Sequence, residues 1–402
     1  MPSLKRCLTL TLLASLMLPA LAEARIKLIT LPVRERVEIQ LDHPNATLVE
    51  EERIVPLVKG VNQVDFSWAN TQIDPNTIVF RVLPGEAPGV AGKPNEINVL
   101  SVSYPPGENA LVWQVGAAKS GSAHVRISYL LGGLDKSFSY RAVAASDEKK
   151  ITLRQYVLLR NVSNESFGDS EVYTGIGDRF VKPIELNETK QVLLEKFVDV
   201  PVSKTYTCNP NEFGWQDRSQ NKLRVPMRYV VRNDEENGLG ASPLPFGKVR
   251  IFIADNGGNE TFLGEDWGQF TPIDDKMELN LGVAQDIVVK RTIERNDATR
   301  IAGNLYDYHV VVKFEIENFK DSPVTLNVEE FVQNIRQEAG RGNNGRDVQW
   351  DLGETTNFDG GLDREESDNN KLVFHVDLSK RDADGKAEKI TKYLHLVIRN
   401  EW

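Results

Sequence analysis

The sequence predicts an all-β protein of two or three β-sandwich, immunoglobulin-like units, with no substantial helix outside a leader. Three observations carry this. Apolar and polar residues alternate with a period of two through most of the 402 residues. Short runs rich in Gly, Asn and Asp separate the alternating segments at the roughly 8–12-residue spacing typical of sandwiches. No window after the first residues holds an amphipathic helix of about ten residues or more.

The chain opens with "MPSLKRCLTLTLLASLMLPALAEA". Lys5 and Arg6 precede an apolar run from Cys7 to Leu18, and Pro19 leads to the small residues Ala20 and Ala22. That order describes a secretory signal peptide over residues 1–22, cleaved after Ala22, with Ala24 as the second choice. The apolar run is shorter than the about 20 residues a permanent span needs. The mature protein is therefore expected to be exported and to be periplasmic, cell-envelope or extracellular. Cys7 leaves with the leader, so Cys208 has no intramolecular partner and the fold stands on its hydrophobic cores.

The net charge of −10 becomes more negative once Lys5 and Arg6 are removed. That sign argues against nucleic acid and anionic membrane surfaces as partners. Protein or envelope-polymer partners are expected, with no transmembrane span and no cofactor.

Strand patterns follow in order. "RVEIQL", "NQVDFSW" and "TIVFRVL" lead to the Gly/Pro-rich "PGEAPGVAGKPNE", closing a first unit over 25–100. "NVLSVSY", "HVRISYLL", "SFSYRAV", "KITLRQYVLL" and "KLRVPMRYVV" belong to a middle unit over 101–237. "NGLGASPLPFG" connects it to a third over 248–402, which holds "KVRIFIA", "DIVVKRTIE", "YHVVVKFEIEN", "VTLNVEEF", "KLVFHVDL" and "KYLHLVI". Within this last unit, residues 340–370 are polar and patternless, which suggests a mobile surface insertion. "EEFVQNIRQEAG" is the best short helical candidate. "LRNVSNESFGDSEVYTGIGDRF" reads as a hairpin whose turn, Asn161 and Ser163 to Ser166, is capped by its own side chains.

Catalytic signatures are missing. There is no G-x-S-x-G, H-E-x-x-H, P-loop or G-x-G-x-x-G, so no catalytic residue is assigned. Cys208 reads as a buried inert thiol. "DADGK" and "DNGGNE" lack full calcium-loop patterns and suit tight turns. Asn45, Asn161, Asn164, Asn187 and Asn259 sit in N-x-S/T, which matters only in a glycosylating secretory path. The aromatic C-terminus, Trp402, resembles an outer-membrane barrel ending, but strands such as "VVKRTIERN" are too charged for a lipid-facing band.

One metal constellation is worth testing. If "LVFHVDLSKRDADGKAEKITKYLHLVI" is a hairpin closed at "DADGK", His375 lies near His395 across the strands, and Asp377 shares the face of His375. Two imidazoles and a carboxylate are metal ligands, although no further ligand is assigned and strand histidines more often meet solvent or backbone.

"ATLVEEERIVPLVKGVNQVDF", "TQIDPNTIVFRVL", "YLLGGLDKSFSYRA", "NVSNESF", "GKVRIFIADNGGNETFLGEDWGQF" and "YHVVVKFEIENFKDSPVTLNVEE" together resemble a bacterial domain-of-unknown-function family. Mucoidy-inhibitor-A-like proteins share its conserved domain. The resemblance spans most of the mature chain and rests on turn and packing residues. The chain departs from the longer relatives in having no coiled-coil insertion, and Lys136-Ser137-Phe138 replaces a common Trp-containing element. The resemblance implies no catalytic residues. It favours a non-catalytic binding or structural protein of the envelope or exterior. The alternative is an envelope hydrolase or metal-dependent enzyme with a site at a domain junction.

Overall fold

The structure, a computed structural model, describes residues 27–84, 97–212, 214–255, 257–340 and 348–401. The leader and most of "PGEAPGVAGKPNE" lie outside the described residues. The regular structure of the described chain is almost all β-strand, numbered here in chain order, with one short α-helix, α1 (Val332–Glu338). No described helix is long and apolar enough to cross a membrane.

Two compact units emerge. The first comprises residues 27–134, 161–172 and 180–187, and the second the remainder. Sheet I of the first unit runs β1 (Lys27–Thr30), β4 (Gly60–Ser67), β7 (Ala110–Ala117), β6 (Ile97–Ser103). Sheet II runs β12 (Phe180–Ile184), β11 (Phe167–Tyr173), β2 (Arg36–Gln40), β3 (Thr47–Leu57), β8 (Gly121–Leu131), β5 (Val79–Val82). Their inner faces meet through aromatic rings. Trp113 of sheet I packs on Phe80 of sheet II at 4.8 Å, and Phe66 of sheet I on Tyr129 of sheet II at 5.9 Å. Period-two alternation in β7 supplies this face, with Leu111, Trp113 and Val115 buried at every second position.

The second unit has three sheets. Sheet III runs β13 (Thr189–Pro201), β10 (Lys150–Asn161), β9 (Leu134–Ala144), β18 (Gly247–Ala254), β19 (Glu260–Gly268). Sheet IV runs β20 (Lys276–Val283), β17 (Pro226–Arg232), β14 (Ser203–Cys208), β23 (Val324–Phe331), β25 (Lys371–Leu378). Sheet V runs β15 (Trp215–Asp217), β16 (Lys222–Leu223), β21 (Ile287–Ala302), β22 (Leu305–Asn318), β26 (Lys389–Glu401), β24 (Trp350–Leu352). Tyr140, Leu153, Val249 and Ile251 of sheet III form one core with Tyr229, Val231, Met277 and Leu279 of sheet IV. Leu326, Val328, Phe374 and Val376 of sheet IV form another with Val310, Phe314, Leu394 and Leu396 of sheet V.

The strands do not follow the expected cuts near residues 100 and 237. β7 and β8 complete the first unit's sheets, and β18 pairs in parallel with β9 of sheet III. Two expected hairpins are also absent. β10 belongs to sheet III and β11 to sheet II, while β25 belongs to sheet IV and β26 to sheet V. Each intervening turn carries the chain between sheets, because each outgoing strand finds a longer-range partner to pair with. The turn chemistry itself is as expected. Asn161 Oδ1 accepts from the Ser163 backbone N–H (3.1 Å) and hydroxyl (2.7 Å), and its Nδ2 donates to the Glu165 carbonyl at 2.7 Å. Asp382 Oδ1 accepts from the backbone N–H groups of Asp384 and Lys386.

The insertion expected to be mobile carries β24 and is tied down where it is described. Asp363 N–H donates to the Val373 carbonyl at 2.9 Å, and Trp350 Nε1 to the Asn369 carbonyl at 2.7 Å. "EEFVQNIRQEAG" ends β23 and then turns directly into α1.

Candidate functional site

His375 and Asp377 do share a face of β25. Both line a cavity of about 380 Å³ with Asp359, Gly360, Gly361 and Asp363. Both ring nitrogens of His375 are engaged, Nδ1 with Asn327 Oδ1 at 2.9 Å and Nε2 with Asp363 Oδ2 at 2.8 Å. The His375 contact, followed by backbone N–H groups, holds the Asp363 carboxyl below its usual range. Asp377 accepts from Thr325 Oγ1 at 2.7 Å.

His395 is elsewhere. It lies on β26 in sheet V, and its Nε2 meets His309 Nδ1 at 3.1 Å. The expected His375–His395–Asp377 cluster is therefore not assembled. Its premise was a hairpin register, and β25 pairs with β23 while β26 pairs with β22. Among the described residues no group of three or more His, Cys, Asp or Glu is arranged to hold a metal ion.

The strongest candidate surface is one the sequence reading did not single out, the outer face of β18 and β19. These strands form a true hairpin. Asp255 Oδ1 accepts from the N–H groups of Gly257 (2.9 Å) and Asn259 (2.7 Å), and Gly258 takes the positive φ of 85° the turn requires. The register pairs Lys248 with Trp267, Arg250 with Glu265 and Phe252 with Phe262. The alternate residues Gly247, Val249 and Ile251 point into the core. Gly247 is required there, since a Cβ would stand 2.6 Å from the Phe138 carbonyl oxygen of the neighbouring parallel strand.

The outward row is aromatic and charged. Trp267 stacks on Phe246 with ring centroids 5.1 Å apart and planes 3° from parallel. Both rings are about half exposed, 49% and 51%, and Phe270 is 57% exposed. Lys248 Nζ lies 5.2 Å from the Trp267 ring centre and 2.8 Å from Glu265 Oε1. At the other end of the hairpin, Phe252 and Phe262 meet edge to face at 5.4 Å. The Arg141 guanidinium lies 3.9 Å above Phe252 and pairs with Glu260.

This face lies at the edge of sheet III, because among the described residues β19 pairs with no strand but β18. Fully burying one such ring is worth about 1.5–3 kcal/mol. Two stacked rings left half in water, with the Lys248–Glu265 pair beside Trp267, have the mixed aromatic and charged composition found at recognition surfaces. In sequence, Phe246 falls in the Gly/Pro-rich connection "NGLGASPLPFG", and nothing local marks Trp267 or Phe270 as outward-facing.

No protein-family model matches the chain, and no curated protein matches it.

Proposed function

We propose that this is an exported, non-catalytic protein of the bacterial envelope or exterior that binds a protein or surface polymer through the outer face of β18 and β19. The observation that carries the reading is the exposed, stacked Phe246–Trp267 pair at the edge of sheet III, with the exposed Phe270 following β19 in the chain. The leader-like first residues support export, and the likeness to the mucoidy-inhibitor-A-like family supports a non-catalytic envelope role. The competing enzyme reading rests on the cavity around His375. There both imidazole nitrogens are engaged by Asn327 and Asp363, so a role as base or ligand would require one of these contacts to open.

The test is cross-linking in the native envelope with the wild type and a Trp267→Ser/Phe270→Ser variant. The expected result is a discrete adduct lost in the variant while its thermal unfolding is unchanged. Equal adducts from both proteins would contradict the reading.

A further inference from the structure

His309 and His395 form a second feature, independent of the aromatic face. The register of β22 and β26 pairs His309 with Val397 and Val311 with His395, so the two imidazoles are diagonal neighbours on one face. The other face holds the core residues Val310, Leu394 and Leu396. The nitrogens His309 Nδ1 and His395 Nε2, 3.1 Å apart, share a single proton.

The remaining nitrogen of His395 decides where that proton sits. His395 is 7% exposed, and its Nδ1 is buried with no hydrogen-bond partner among the described residues. The backbone of Gly353 covers it so closely that a Cβ on Gly353 would stand 2.0 Å from Nδ1. An N–H at that position meets no acceptor. The neutral tautomer therefore carries its proton on Nε2 and donates it to His309 Nδ1. A second proton has no good place. On His309 Nδ1 it confronts the His395 N–H, and on His395 Nδ1 it confronts Gly353.

The segment that covers His395 is bonded to the same strand. Gly353 N–H donates to the His395 carbonyl at 2.7 Å, His395 N–H to Thr356 Oγ1 at 3.1 Å, and Asn357 N–H to the Tyr393 carbonyl at 3.1 Å. We propose that the His309–His395 pair is an acid-sensitive latch for the segment from β24 to Asn357: neutral, it seats Gly353 on β26, and charged, it releases the segment.

The surrounding charges are divided. Burial, then His309, then Arg295 of β21 push the His395 pKa down, while Asp297 of β21 and Glu354 after β24 pull the other way. Asp297 is committed to Arg295, and Asp307 of β22 to Arg399 of β26, which also pairs with Asp351 of β24. A histidine with a depressed folded-state pKa stabilises the fold fully above its unfolded value of about 6.5, and that stability is lost as pH falls.

The test is hydrogen exchange of residues 350–358, with rates corrected for intrinsic pH dependence, at pH about 7.5 and about 5.5. In the wild type, protection is lost on acidification, because the neutral pair is what holds the segment. In His309→Gln/His395→Gln it is the same at both pH values. Gly353→Ala leaves the segment unprotected at both, because its methyl group displaces the segment directly. Unchanged protection in the wild type, or an equal loss in the double variant, overturns the latch. So does a rise in Tm with Zn²⁺ at pH about 7.5 that requires both histidines, since it would make the pair a metal seat.

Discussion

Asn161 and Asn318 hold the same corner at two places in the chain. Each ends a strand, and in each the side-chain Oδ1 accepts from the N–H two residues on, Ser163 or Lys320. Each Nδ2 donates to the carbonyl four residues on, Glu165 or Ser322. Each Nδ2 also donates to the carbonyl of the residue just past a later strand, Glu185 after β12 or Ser379 after β25. The next strands begin at Phe167 and Val324, the same distance beyond the two asparagines, and at both corners the chain changes sheet. The same corner is built twice, with one hydrogen-bond pattern and little sequence in common beyond the asparagine.

Removing either buried side chain takes the Nδ2 donor from two carbonyls and the Oδ1 acceptor from a backbone N–H. Asn161→Ala and Asn318→Ala are each expected to destabilise by about 2–4 kcal/mol. Urea unfolding checks this, with Asn161→Ala acting on the first unit and Asn318→Ala on the second.

Arg291 and Glu330 form a buried pair, 2% and 0% exposed, joined through Arg291 Nε–Oε1 at 2.5 Å and Nη2–Oε2 at 3.0 Å. Arg291 Nη1 reaches Glu338 of α1 at 2.6 Å. Truncation of one partner strands a charge, so Glu330→Ala is expected to cost about 3–5 kcal/mol. Arg291→Met/Glu330→Leu is expected to recover most of that loss in the same unfolding assay, because it removes the charge as well as the pair.

Glu148 sets part of the acid limb of stability. Burial opposes its charge, but hydrogen bonds from Lys204 (2.6 and 2.9 Å) and the Tyr229 hydroxyl outweigh this and hold its pKa below the usual value. Its contribution is present above the unfolded-state pKa of about 4.3 and is lost as pH falls through the folded-state value. Glu148→Gln is therefore expected to be less stable at neutral pH and to lose less on acidification, as read from urea midpoints between pH about 7 and about 3.

Cys208 is fully buried, and burial followed by the Glu330 charge pushes its thiol well above the usual range. A thiol reagent at pH about 8 is expected to leave it unmodified in the native protein and to label it in denaturant. Rapid native labelling would contradict the packing described for β14.

The all-β class was legible because alternation is local to each strand. Sheet membership was not, because it depends on which distant strand is met. "DADGK" and "NVSNESF" both carry sound turn chemistry, yet each connects strands of different sheets. The site suffered from the same limit. His395 was visible as a residue, but its partner His309 is 86 positions away, and nothing local marks the contact. Trp267 and Phe246 were missed for a different reason. An outward aromatic and an inward one look alike until the register of β18 and β19 shows which face is core.

The central claim is that the Phe246–Trp267 face binds a partner. The most direct measurement places a photo-activatable aromatic residue at position 267 and, as a control, at the exposed Val181 of β12. On irradiation in the native envelope, the account predicts a discrete cross-linked product from position 267 and none from position 181. The same product from both positions, or none from position 267, would contradict it.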